Sequence, residues 1–193
     1  MTIPRCQEIL ATTRAASACS APKSTFLEGT GLSVLRMAKA YEEDGKTFLL
    51  QGDTVNALAA FLYGLGWLHC GFAAGILTYT GERPECPFAK TFEKVSPSEE
   101  DKLVEKSERY AHLLATAIAA VIPAPDRSVP AHGFAQQVRF TAGVYLAEGN
   151  RRTARGDRAA GLACYSYGHG WLDCGVEAGL FCIHANREIF TVD

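Results

Sequence analysis

Two adjacent pairs, His69-Cys70 and Asp173-Cys174, carry the side chains with the widest chemical repertoire in this sequence. Imidazole, thiolate and carboxylate are competent ligands for zinc or another transition metal, so the four form a candidate metal set if the fold brings them together. No recognised ligand spacing surrounds them. The seven cysteines are an odd number and contain no CxxC pair. On packing grounds alone Cys70 and Cys174 are expected as small buried side chains. Just upstream lie Tyr63 and Trp67, and Tyr167 and Trp171. At i,i+4 each couple shares one side of a helix, either as core packing or as the lining of a small-molecule cleft.

Other candidates are weaker. Cys182 and His184, two apart, face different directions on a helix and make no catalytic dyad. Cys86 sits in a Pro-rich stretch and is the best exposed thiol. Glu42, Glu43 and Asp44 read as a solvated helix face, and Arg151, Arg152, Arg155 and Arg158 as a surface contact. There is no phosphate-binding loop, no GxGxxG and no HExxH. No catalytic residue and no cofactor are predicted.

The chain has 193 residues, 48% of them hydrophobic and 21% charged. That balance excludes a disordered chain, a collagen and a rod. A net charge of -2 disfavours a nucleic-acid partner. Arg5, Glu8 and Arg14 interrupt the apolar run that a secretory leader needs. Residues 54–81 contain no Asp, Glu, Lys or Arg, which is long enough to span a bilayer. A helix buried within a bundle is the expectation, with no membrane partner, because the equivalent segment downstream carries Arg158, Asp173 and Glu177.

That equivalence is an internal repeat. Residues 5–77 overlay on 109–181 without a gap, and 25 of 73 positions are identical, both tryptophans included. Each copy reads as three helices: about 4–20, 26–51 and 54–79, then about 99–121, 133–155 and 158–185. Gly52-Asp53 and Gly156-Asp157 join the second helix to the third, the glycine ending one helix and the aspartate capping the next. So short a joint makes the two helices antiparallel neighbours. Ser98 reads as the cap of the fourth helix. Gly64, Gly71 and Gly75, repeated as Gly168, Gly175 and Gly179, predict close approach of another helix. No run alternates with period two, so no strands are expected. The fold class is therefore all-α, about six helices in two pseudo-equivalent units. The first unit is 1–80, a Pro-containing linker 81–97 and the second unit 98–193, packed as one globule with the third helices in the middle.

The segments QGDTVNALAAFLYGLGWLHCGFAAGIL and RGDRAAGLACYSYGHGWLDCGVEAGLF resemble the archaeal domain-of-unknown-function family numbered 357. The shared features are the Gly-Asp joint, the Tyr-Gly-x-Gly-Trp-Leu core and the small-rich continuation. The resemblance implies a small helical unit, an archaeal source and a cytoplasmic setting, and it supplies no catalytic residues. This chain departs from the single-unit pattern by carrying two. His69 also stands where the second copy has Asp173, the latter closer to the family. The expected function is a structural or protein-interaction module without catalysis, with an unknown protein partner, as a monomer or homodimer. The alternative is a small-molecule or metal-binding protein with a site between the units, using Tyr63, Trp67, Tyr167 and Trp171, or His69, Cys70, Asp173 and Cys174.

Overall fold

The structure is a computed structural model that describes residues 1–81 and 85–191. Six helices carry the architecture: α1 Ile3–Ala15, α2 Phe26–Leu50, α3 Thr54–Ala73, α4 Glu100–Ala120, α5 Pro130–Ala154 and α6 Arg158–Glu177. The second and third helices of the two units recur at the same offset of 104 residues as the sequence repeat. Among the described residues the mostly helical prediction holds, in two units of three helices.

Both αα-hairpins are built as the sequence predicts. At the end of α2, Gly52 takes φ +77°, its N–H donates to the carbonyl of Leu49, and the N–H of Asp53 donates to that of Phe48. Gly156 repeats this at φ +85°, with Gly156 on Thr153 and Asp157 on Arg152. This double bond satisfies the last carbonyls of a helix and needs the left-handed conformation that glycine adopts at no steric cost. Asp53 then accepts from the N–H of Asn56, and Asp157 from that of Ala160, each at 3.1 Å.

The first and third helices are shorter than predicted, and strands replace their ends. Gly75 and Gly179 both take φ +71° and stop α3 and α6 with the same two-bond cap. The chain then emerges extended. In the first unit β1 Ser17–Cys19 pairs antiparallel with β2 Leu77–Tyr79; in the second, β3 Val121–Pro123 pairs with β4 Phe181–Ile183. Three-residue strands are too short to show a period of two. Ser98 does not cap α4: a 3₁₀ turn, Pro97–Glu99, precedes that helix. Glu99 instead accepts from the N–H of Thr54 at 2.8 Å and from its hydroxyl at 2.6 Å, helping to cap α3 of the other unit. The fifth helix begins at Pro130, three residues before the expected start, because proline is well suited to the first helical position. Of the linker prolines, Pro87 and Pro97 open 3₁₀ turns, and Pro84 lies outside the described residues.

The uncharged helix α3 is long and apolar enough to cross a membrane, and 83% of its most apolar window is buried inside the bundle. It packs most extensively against α6, so the third helices form the middle as expected. The glycines that permit this are not the predicted ones. Gly64 and Gly168 fit against Leu10 and Tyr41, and Leu114 and Tyr145, of their own units, while Gly71 and Gly175 face their own Leu77 and Phe181. The crossing itself belongs to Gly66 and Gly170. A Cβ on Gly66 would lie 2.3 Å from the carbonyl oxygen of Tyr167, and one on Gly170 would lie 2.2 Å from that of Tyr63. The contact is reciprocal between equivalent residues, which is the signature of a local twofold axis through the crossing.

Candidate functional site

The α3–α6 crossing fixes everything near it. One turn beyond Gly66 and Gly170, Cys70 and Cys174 meet, fully buried. Burial, and the Cys70 thiol beside it, hold the Cys174 thiol well above its ordinary range, so Cys174 is an inert packing group. His69 and Asp173 do not join them. The nitrogen Nδ1 of His69 shares a hydrogen bond of 2.7 Å with the hydroxyl of Tyr167, whereas the buried carboxylate of Asp173 accepts from the hydroxyl of Tyr63. The four predicted metal ligands thus part into three places, the cysteine pair at the crossing and His69 and Asp173 on two separate tyrosines, and among the described residues no group of three or more His, Cys, Asp or Glu is placed to hold a metal ion.

The His69 and Asp173 clusters are equivalent by the repeat: position 63 meets position 173, and position 167 meets position 69. Each opens to its own cleft, so the predicted aromatics also separate. Tyr63 lines one cleft and Tyr167 the other, while Trp67 and Trp171 line neither and are buried. Tyr167 and Trp171 do lie together, ring centroids 6.5 Å apart. Tyr63 pairs instead with Tyr41 at 4.3 Å, as Tyr167 does with Tyr145 at 4.4 Å.

The second cleft, of about 650 Å³, is walled by His69, Phe72, Tyr79, Phe88, Tyr145 and Tyr167. Burial drives the His69 pKa down to about 4, so its imidazole is neutral at physiological pH. The first cleft, of about 350 Å³, lies at the seam of the units, with Tyr41 and Tyr63 from one, and Lys106, Tyr110, His169 and Thr191 from the other. Burial and the neighbouring Asp173 hold the Tyr63 phenol well above its ordinary pKa, so it stays a hydrogen-bond donor. Thr191 closes the site: its N–H donates to Oδ2 of Asp173 at 3.3 Å, and its hydroxyl donates to the same oxygen. His169 is only 7% exposed; among the described residues its Nε2 has no hydrogen-bond partner, and it points at Oδ1 of Asp173, likewise unpartnered among them, 3.7 Å away.

The segments that follow the two ribbons are exchanged. Phe88, beyond β2 of the first unit, packs on Tyr145 and Tyr167 of the second, with centroids 5.0 and 5.2 Å apart. Thr191, beyond β4 of the second unit, bonds Tyr63 of the first. Each unit therefore supplies a wall of the cleft on the other.

Sequence reasoning missed Tyr41, Tyr145, His169 and Thr191. Tyr41 and Tyr145 are identical across the repeat, which was a usable signal. His169 precedes Asp173 by one helical turn where the first unit has Leu65, so comparison of the copies could also have found it. Thr191 lies outside the repeat and carried no signal.

The acidic run is not wholly solvated. Glu42 is 3% exposed and accepts from Nε of Arg14 at 2.6 Å and from Lys46. Burial opposes its charge, but the two cations outweigh it and hold its pKa below the usual range. The basic patch is partly neutralised: Arg151 and Arg152 both pair with Glu148. Cys86 is exposed as expected, and so is Cys182.

The architecture is that of a fused pair of three-helix units related by a local twofold, with unlike polar clusters at equivalent positions. The chain belongs to a protein family of unknown function, DUF357, whose pattern matches twice, at residues 5–77 and 109–181. These are the bounds of the repeat. No curated protein and no solved structure matches the chain.

Proposed function

We propose that the protein binds a small molecule in the cleft at the seam of its two units. The observation that carries this reading is the seam cleft itself, where Tyr41, Tyr63 and Tyr110 surround the buried His169, whose Nε2 faces Oδ1 of Asp173 and has no hydrogen-bond partner among the described residues. A cleft of about 350 Å³ with aromatic walls and a few convergent polar groups is the usual form of a ligand site. The test is a ligand-observed NMR screen of a fragment library against the wild type, Ala60→Leu and Tyr110→Ala. Ala60 and Tyr110 both line this cleft. Hits that both variants lose support the reading; an absence of hits, or hits indifferent to both changes, overturns it. A cytoplasmic setting belongs to the same proposal, supported by cysteines that are all present as free thiols.

A protein-interaction role is the second reading. It is supported by Phe140 and Val144, 72% and 45% exposed and one turn apart on α5. Light scattering and partner capture that distinguish wild type from Phe140→Glu would favour it.

A further inference from the structure

The charges around the seam cleft are unevenly balanced. On α4, Lys102 pairs with Asp53 at 2.6 Å and Arg109 with Glu105 at 3.4 Å. Lys106, between them, lines the cleft and makes no ion pair among the described residues. Its ammonium sits 5.8 Å from the centroid of the Tyr110 ring, a cation–π contact. Partial burial lowers its pKa, with Arg109 and Lys102 adding to the effect and Glu105 and Asp53 opposing it. A partly desolvated cation without a counter-ion gains most from an incoming anion.

Among the described residues no acid is left to fill that role: Asp53 and Glu105 act on Lys106 from nearby but are paired with Lys102 and Arg109. Asp44 is exposed at the rim, where water and salt screen its charge. Asp173 is fully buried behind Tyr63 and Thr191, which occupy its Oδ2, and its Oδ1 faces His169. Five of the remaining wall residues are rings, Tyr41, Tyr63, Tyr110, Phe48 and His169, and the others are mostly aliphatic, Ala60 and Leu113 among them. Such walls hold a planar ring by stacking, and the small volume limits the occupant to one or two rings.

We infer that the ligand is a small ring compound bearing a carboxylate or phosphate, its ring held among the tyrosines and its anion on Lys106. This rests on the small-molecule reading and adds shape and charge to it.

Calorimetric titration of the full chain tests it with matched probes. Benzoate, phenylacetate, 4-hydroxyphenylacetate and indole-3-acetate are each compared with the corresponding uncharged amide, and phenyl phosphate with phenol. At least one anion is expected to bind about tenfold more tightly than its neutral match, as a charged hydrogen bond implies. Lys106→Gln should erase the preference and Lys106→Arg should keep it; Lys106 is partly exposed, so neither change threatens the fold. Equal binding of anions and neutral matches to the wild type, or a preference that survives in Lys106→Gln, overturns the charge assignment and leaves the small-molecule reading standing. If no member of either set binds, both fall.

Discussion

Tyr63 of the first unit hydrogen-bonds the fully buried carboxylate of Asp173 in the second. Because the bond crosses the seam, it ties the units together as well as shaping the cleft. Tyr63→Phe removes one donor from a buried charge and is expected to cost about 1–3 kcal/mol in urea unfolding. A double-mutant cycle with Asp173→Asn should show coupling of at least about 0.5 kcal/mol; strict additivity would mean the bond does not stabilise the seam.

At the crossing, an added methyl group meets backbone, which cannot step aside. Gly66→Ala or Gly170→Ala is expected to destabilise by about 1–3 kcal/mol or more. On the outer side of α5 a Cβ at Gly143 meets nothing within 4 Å, and Gly143→Ala should stabilise by about 0.5–1 kcal/mol. Thermal melts that rank the two classes the other way would refute the close-contact account.

Acid should weaken the fold through His69. Its folded pKa is about 4, below the ordinary value of 6.5, because burial disfavours the imidazolium. A depressed pKa of this kind gives stability that is complete above the unfolded value and lost as pH falls toward the folded one. The window is therefore pH 6.5 down to about 4, and the loss reaches about 3 kcal/mol at its lower end. His69→Phe should flatten the dependence of the melting temperature in that window, and an unchanged slope would remove His69 as its source.

Glu42 is an inward-facing acid held by two cations. Glu42→Gln is expected to cost about 1–3 kcal/mol, since Arg14 and Lys46 each lose a charged bond but retain access to water. Its lowered pKa adds stability that is present above the ordinary carboxylate range and lost as pH falls through the folded value. In Glu42→Gln the acid limb of the stability curve should be shallower. Equal limbs in the two proteins would leave the pair without a stabilising role.

The duplication, the two hairpins and the central helices were legible because each leaves a mark within a few residues: a repeated tryptophan, a Gly-Asp joint, an uncharged run. The ribbons were not legible. Their strands are three residues long, and the glycines that create them, Gly75 and Gly179, read equally well as members of a helix-contact stripe. The true contact glycines, Gly66 and Gly170, lay in plain view inside the repeated core, but sequence spacing does not say which side of a helix meets its own unit and which meets the other. The site suffered for the same reason. His69 and Asp173 are the unlike pair of the repeat, yet their partners, Tyr167 and Tyr63, come from the opposite unit, and nothing local to either residue announces a neighbour about a hundred positions away.

A dimer of identical chains must place the same side chain at both ends of its axis, and a substitution there changes both ends at once. Fusion lifts that restriction. With both halves on one polypeptide, histidine has come to face one tyrosine and aspartate the other, so the molecule keeps a symmetric frame while its two hollows are free to specialise for unlike guests.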